Sequence, residues 1–523
     1  MTAENKPTAA TPQTLLPSVL CWSLLACGAF FLMWVMLHRN GNVADDAFIT
    51  LTYSKNLIAG NGFVYNHGPA TLGTTSPLLA LLSAAAGFLL PFLELPVIAT
   101  LIATAAWAAW GWILYASRGL FNLNRAEATL IALTVYTTRF VHPASEQTLF
   151  QLLLLVTFVL FRMRQWLLCG AAAGLLTLTR GEGVLLLPLL FATHYYQERF
   201  QWRAALAGVR GVAVGSAVIL GLWTLYALPE FGSVLPQTLK VKIAQGQNTG
   251  YYGRSFLPGL LVRMTTWDAD GLLLRVVTWS FAVMGAWRVV RRHPHLALFG
   301  GWILLYVAGY TYLGVPSVYI WYQYPVYFIW LLLAGVGLAF AAERLLTWPR
   351  FSRPVRTALT ALLLLFVLLP RYYDVWERAK DYPGDVRAES YKYVAAWLRE
   401  NTKPEDTVGS GEVGYLGYYT SNKIIDMAGL ISPDPQAVLD IPSWEEAVSR
   451  FAPQYLVECL PTATTSEKDV VLRGDVRYEP VLTRPLLLPW RTPPEHLCVL
   501  FRKLPQPEAT PSDNAPAQAP PGN

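Results

Sequence analysis

Charge is what this chain has least of. Only 14% of its 523 residues are Asp, Glu, Lys or Arg, where a soluble protein carries about a quarter. That shortage excludes a water-soluble globular enzyme of this length. Its five cysteines are too few for a disulfide framework. Cysteine and histidine also show no spacing suited to a structural zinc. Neither a P-loop nor a Rossmann glycine pattern occurs. The net charge of +6 does not indicate a nucleic-acid partner, because the arginines sit mostly in short loops between apolar runs.

What the chain has is apolar and aromatic. Hydrophobic residues make up 54%, with 19 Trp and 26 Tyr, the two residues that favour a bilayer–water interface. The run from Leu15 to about Leu37 is too long for a signal-peptide core and lacks a small-residue cleavage site, so it reads as a retained first span. A span needs about 20 apolar residues. The segments 15–38, 95–116, 126–140, 147–161, 166–179, 183–197, 211–228, 272–287, 295–314, 322–342 and 355–370 fit this to differing degrees.

The run 76–92 is ambiguous, and the positive-inside rule decides it. If it does not cross, Lys6 and the clusters Arg118/Arg125, Arg162/Arg164, Arg199/Arg203/Arg210, Arg288/Arg291/Arg292 and Arg344/Arg350/Arg353/Arg356 share one side. Arg39, Lys55, Arg139 and Arg180 lie on the other. The expectation is therefore a polytopic α-helical membrane protein with about eleven transmembrane helices over 14–370. Its N-terminus is cytoplasmic, and juxtamembrane helices lie in a first external loop, 39–94. A small external α/β domain follows at 371–505. It has strand-like runs Thr407–Ser410, Lys423–Met427, Tyr455–Cys459 and Leu497–Phe501 and helical stretches Arg387–Asn401 and Trp444–Phe451. The Pro-, Ala- and Thr-rich ends, 1–13 and 506–523, are expected to be disordered. Cys459 and Cys498 fall in this last domain and could pair outside the cytoplasm. Cys21, Cys27 and Cys169 lie in apolar runs and read as buried thiols.

The outer side collects the residues suited to chemistry. Asp45 and Asp46 follow span one. A carboxylate pair suits general-base work or a metal, and helix capping accounts for it equally well. Glu146 opens a span from the loop that holds His142. Arg180 and Glu182 join two short apolar runs on the side where arginine is disfavoured, so Arg180 either meets an anion or pairs with Glu182. Lys240 and Lys242 could hold a phosphate or simply solvate a loop near lipid headgroups. The cluster Tyr319–Pro325, with Trp321, Tyr322 and Gln323, is either an interface anchor or a sugar platform.

These residues resemble a family. Asp45-Asp46-Ala47-Phe48-Ile49, Tyr53, Asn56-Leu57, Gly60, Gly62, Asn66 and Thr75-Ser76-Pro77-Leu78 are similar to the first external loop of GT-C fold glycosyltransferases. The branch concerned is the bacterial arabinofuranosyltransferases that use decaprenyl-phosphate arabinose. Ser145-Glu146-Gln147-Thr148, Arg180-Gly181-Glu182-Gly183 and Leu235-Pro236-Gln237-Thr238 with Lys242 follow in the family's order. So do Gly414, Gly417-Tyr418-Tyr419, Ile425-Asp426 and Gly429-Leu430. Thr52 stands where relatives often carry Arg, and the Glu146 loop lacks the usual Gly.

The resemblance implies an inverting glycosyltransferase of the bacterial inner membrane, acting as a monomer. It would move a sugar such as a pentofuranose from a polyprenyl-phosphate donor to an external glycan, lipid or protein. Asp45 or Asp46 would be the general base. Arg180, Lys242 and Lys240 would hold the donor phosphate, and Glu146 would position a substrate. Tyr53, Asn56, Glu182, Trp321, Tyr322 and Gln323 would line the substrate site. No cofactor is required, although Mg or Mn at Asp45 and Asp46 is compatible with the pattern. The C-terminal domain would bind or orient the acceptor as a separate module. A transporter or flippase of lipid-linked sugars, and a non-enzymatic glycan-binding protein, are the competing readings. The first predicts facing charges at mid-bilayer and pseudo-symmetric halves, and the chain shows no internal repeat.

Overall fold

The computed structural model describes residues 18–39, 43–138, 142–247, 254–265, 272–381, 387–432, 438, 441, 443–461, 470–485 and 496–505. Lys6, Arg139 and both terminal tails lie outside the described residues.

Eleven helices correspond to the eleven expected spans: α1 (Ser18–His38), α4 (Leu95–Ala116), α5 (Arg125–Tyr136), α6 (Gln147–Arg162), α7 (Trp166–Thr179), α8 (Leu186–Gln197), α9 (Trp202–Phe231), α12 (Leu272–Arg292), α13 (Ala297–Tyr312), α14 (Tyr324–Leu346) and α15 (Arg353–Asp381). Of these, α1, α4, α9, α12, α14 and α15 are long and apolar enough to cross a membrane by length and composition. The rest are shorter; at 1.5 Å per residue the twelve residues of α5 reach only about 18 Å. Large apolar side chains point outward along the bundle, among them Phe30, Leu222, Val283, Leu304 and Leu362. Such an arrangement is costly in water and favourable in lipid.

The first loop carries α2 (Asp45–Ile58) and α3 (Pro77–Leu89). Near the start of α1, Trp22 packs on Trp112 and Tyr115, near the end of α4. Consecutive spans α1 and α4 are thus antiparallel, and residues 43–94 leave and re-enter the bundle at one face. The helix α3 falls within the ambiguous run. It lies against α2, where Ser54 donates to the Ala80 carbonyl at 2.9 Å.

Two further helices, α10 (Gln237–Gln247) and α11 (Phe256–Thr265), lie in the loop between α9 and α12. After α15 come α16 (Ala388–Asn401), β1 (Thr407–Ser410), α17 (Gly414–Tyr419), β2 (Lys423–Asp426), α18 (Trp444–Phe451), β3 (Tyr455–Pro461), β4 (Val471–Arg473), β5 (Val476–Pro485) and β6 (His496–Lys503). Their sheet has the order β2-β1-β3-β6-β5-β4. The first three strands are parallel, as helical crossovers require, and the others antiparallel.

This sheet domain is not a detached module. One core joins Val43, Phe48 and Leu51 of the first loop to Tyr391, Val394, Tyr415 and Leu416. Asn66 donates to the Ile424 carbonyl at 2.8 Å and accepts the Ile424 N–H at 3.0 Å, joining β2 as an extra strand residue would. Tyr65 donates to the Val413 carbonyl at 2.5 Å, and Lys55 to that of Tyr418 at 2.6 Å.

Candidate functional site

One end of the helical bundle meets the first loop and the sheet domain, and the candidate residues gather there. Adjacent residues on a helix point about 100° apart, and α2 uses this to separate its two carboxylates. Asp46 is exposed. Asp45 is 3% exposed, and its Oδ2 and Oδ1 accept the backbone N–H groups of Gly414 and Tyr415, each at 2.8 Å. These N–H groups open α17, whose preceding residue, Val413, has no capping side chain. Free N–H groups at a helix start need an acceptor, and Asp45 provides one from a distant part of the chain. Gly414 is required for this approach, because a Cβ there would lie 1.8 Å from the Asp45 carbonyl oxygen. Burial, and then the nearby charge of Glu412, hold the Asp45 carboxyl well above the usual range, while the two amides act in the opposite sense.

Tyr53 and Asn56, expected at the substrate, both bond to the backbone of their own loop. The Tyr53 hydroxyl donates to the Thr71 carbonyl and accepts the Gly73 N–H, and the side chain is fully buried. Asn56 donates to the carbonyls of Val64 and Tyr65 at 2.8 and 3.0 Å. Both residues fold the loop. Gly60, Gly62 and Gly68 supply the positive φ its turns need.

The folded loop then receives α10. The Gln237 N–H donates to the Leu72 carbonyl at 3.0 Å, and the Thr238 hydroxyl to that of Gly73 at 2.9 Å. One turn later Lys242 is buried, its ammonium 3.5 Å from the centre of the Tyr319 ring. Tyr319 in turn donates to Gln245 at 2.6 Å. Desolvation lowers Lys242 to about 8, against the opposing pull of Asp46, Asp426 and Glu412, in that order. Lys240 is exposed. Residues two apart do not share a helix face, so the expected pairing of Lys240 with Lys242 at one phosphate is not what the structure forms.

Arg180 caps α7 and is 4% exposed. Its guanidinium binds Glu146 at 2.6 Å and Glu182 at 2.7 Å; Tyr310 also donates to Glu182, and the Tyr322 ring centre is 5.2 Å away. Two carboxylates against one guanidinium leave this group formally anionic, so Arg180 is already occupied and is not an unspent cation for a phosphate. Tyr322 links this group to Lys242, its ring centre lying 6.4 Å from that of Tyr319, on which the lysine sits. Trp321 is half-buried against Tyr319, with ring centres 5.1 Å apart. Gln323 is fully buried and donates to the Ser317 carbonyl at 3.0 Å, so it orders a turn rather than lining a site. His142 contacts the Tyr324 hydroxyl at 2.7 Å; burial and then Arg39 push it down to about 3.

Sequence reasoning missed Glu412 and Arg387, which pair with each other, and it missed the two amides on Asp45. A Glu between glycines just after a strand-like run (Gly411, Glu412, Gly414) was the available signal. Among the described residues no group of three or more His, Cys, Asp or Glu is arranged to hold a metal ion. The other buried charge cluster, Glu127, Arg288, His293 and Glu343, lies at the opposite end of the bundle, not at mid-bilayer.

Residues 382–492 match a family described as a "Domain of unknown function (DUF8728)". No curated protein sequence gives a significant match. Two crystal structures of ArnT from Cupriavidus metallidurans are similar to the chain. The one bound to undecaprenyl phosphate is 15% identical, with TM-score 0.53, covering 92% of this chain and 98% of that one. The apo form is 14% identical, with the same TM-score and coverage. The chain thus has the fold of these ArnT structures, a polytopic GT-C architecture completed by a small C-terminal α/β sheet.

Proposed function

We propose that this chain is an inverting glycosyltransferase of the bacterial inner membrane. It moves a sugar from a polyprenyl-phosphate donor to a hydroxyl of an external glycan, lipid or protein. The observation that carries this reading is the buried Lys242 seated on the Tyr319 ring, which adjoins Tyr322 and through it the Arg180 group, with Asp46 exposed on the first loop, at one end of a GT-C fold. The similarity of the first loop to arabinofuranosyltransferases favours a pentofuranose.

Asp46 is the general base in this reading. As the acceptor oxygen attacks the anomeric carbon, its proton passes to Asp46. The bond from that carbon to the phosphate oxygen breaks, and negative charge grows on the departing polyprenyl phosphate. Lys242 meets that charge in a low-dielectric setting, where a fixed cation is worth most. Arg180, Glu146 and Glu182 shape the neighbouring wall, with Tyr322 and Trp321 as an aromatic surface for the sugar. Asp45 holds the sheet domain in place. No step requires a divalent ion. The N-terminus and arginine-rich loops are cytoplasmic, and the site faces outward. The chain works as a monomer.

The test combines a deletion strain with the purified protein. Mass spectrometry of the deletion strain should show a lipid-linked sugar accumulating and a surface glycan, lipid or protein losing the same sugar. The purified chain should consume that lipid-linked sugar, and the Asp46→Asn variant should not. Unchanged lipid and surface profiles in the deletion strain would refute the reading.

A further inference from the structure

In the sheet domain, β3 and β6 are antiparallel and place Cys459 directly opposite Cys498. Their register is fixed on one side by Val457 opposite Leu500 and Leu456 opposite Phe501, so the two thiols cannot slip apart without exposing the core. The sulfurs are 2.8 Å apart, closer than non-bonded sulfurs settle. Directly opposed residues of an antiparallel pair have Cα atoms about 4.5–5.5 Å apart, within the range a disulfide spans. The other three cysteines do not compete. Cys21 and Cys27 lie on α1, and Cys169 lies on α7.

We infer that Cys459 and Cys498 form a disulfide in the mature protein, made by exchange with an oxidising protein or small-molecule disulfide. This rests on the reading that the sheet faces out of the cytoplasm, where such bonds persist. The Cys459 thiolate attacks the donor disulfide, forming a mixed disulfide and releasing one donor thiolate. The Cys498 thiolate then attacks Cys459 Sγ and releases the second. Two electrons pass to the donor, and two protons leave the cysteines. The surroundings suit this order of events. Cys459 is half-buried while Cys498 is fully buried. Contact with Cys498 lowers the Cys459 thiol against the opposing effect of burial, with smaller help from Tyr391 at 3.4 Å and the charge of Arg387, and a thiol more readily ionised supplies more of the attacking thiolate.

The bond lies one side chain behind the candidate site. Tyr391, in contact with Cys459, stacks on Tyr415 with ring centres 6.1 Å apart, and the Tyr415 N–H binds Asp45. The disulfide would therefore fasten the central strand pair that supports this stack.

The experiment uses the full chain in its own membrane, with thiols alkylated at lysis and peptides read by mass spectrometry. A parallel Lys240→Cys variant is labelled in intact cells with a membrane-impermeant maleimide. The expected result is an unalkylated peptide pair joined through Cys459 and Cys498, which separates only after reduction. Reductant should also lower the Tm of the wild type by several degrees and leave that of the Cys459→Ser variant unmoved. Free, alkylated Cys459 and Cys498 in protein whose Lys240→Cys site is labelled from outside would overturn the disulfide alone. The same free thiols with an unlabelled Lys240→Cys site would overturn the disulfide and the outward orientation together.

Discussion

Asp45 accepts the backbone N–H of Tyr415 at 2.8 Å, across 370 positions of sequence. With the matching bond from Gly414, this relationship makes Asp45 a fastener and sets it apart from its exposed neighbour Asp46. Two buried amides left without acceptors cost about 1–3 kcal/mol each. Asp45→Ala should therefore lower stability by about 2–6 kcal/mol, seen as a large drop in Tm in detergent. Asp46→Asn should lower Tm far less than Asp45→Ala and cut transfer by ~10²–10⁴-fold. An Asp46→Asn variant with wild-type turnover would remove Asp46 as the base.

Gly414→Ala should mimic Asp45→Ala, because the new methyl would collide with the Asp45 backbone. Protease sensitivity of the junction between the first loop and the sheet is the readout. Equal resistance in wild type and variant would show that the two parts do not meet as described.

Lys242 titrates near 8. If its charge meets the donor phosphate, kcat/KM for the donor is highest below that value, where the lysine is protonated. It then falls about tenfold per pH unit above it. Lys242→Arg should move this limb to higher pH, and Lys240→Ala should change neither rate nor profile. An alkaline limb that survives Lys242→Arg in place belongs to another group.

Arg180 is held between Glu146 and Glu182. Breaking a buried ion pair from one side costs about 3–5 kcal/mol, because a charge is left uncompensated. Arg180→Met should lower Tm as well as activity, and Glu182→Gln combined with Arg180→Met should recover part of the Tm. A pure KM effect of Arg180→Met for donor, with Tm intact, would instead make Arg180 a direct phosphate ligand.

Removing residues 382–523 should abolish transfer to any acceptor, since Asp45 then loses its amides and the first loop its partner strand. Retained transfer to a small acceptor would restore the sheet to the separate module that the sequence suggested.

The bundle was legible because lipid imposes a composition on every span, and the arginine clusters gave it a direction. That direction also argued against a crossing at 76–92, where hydropathy alone could not decide. The site was legible only as residue types in order. Tyr53 and Asn56 match a motif, and here both bond to the backbone of their own loop; one sequence does not show whether a hydroxyl or an amide turns toward substrate or backbone. The exposure difference between Asp45 and Asp46 depends on α17, and Arg180 looks like an anion site until Glu146 is seen to arrive from another helix. Glu412 escaped because its place beside Asp45 and Lys242 is made by packing of the sheet, which local pattern does not encode.

The bond from Asp45 to Gly414 also has a consequence in time. The residues lie 369 positions apart, about 20–75 s of synthesis at 5–20 residues per second. Throughout that interval the Asp45 carboxylate has no amide to hold it. The junction between the first loop and the sheet therefore stays unformed, and open to quality-control proteases, until the last domain is made. A product truncated before Gly414 would never close that junction.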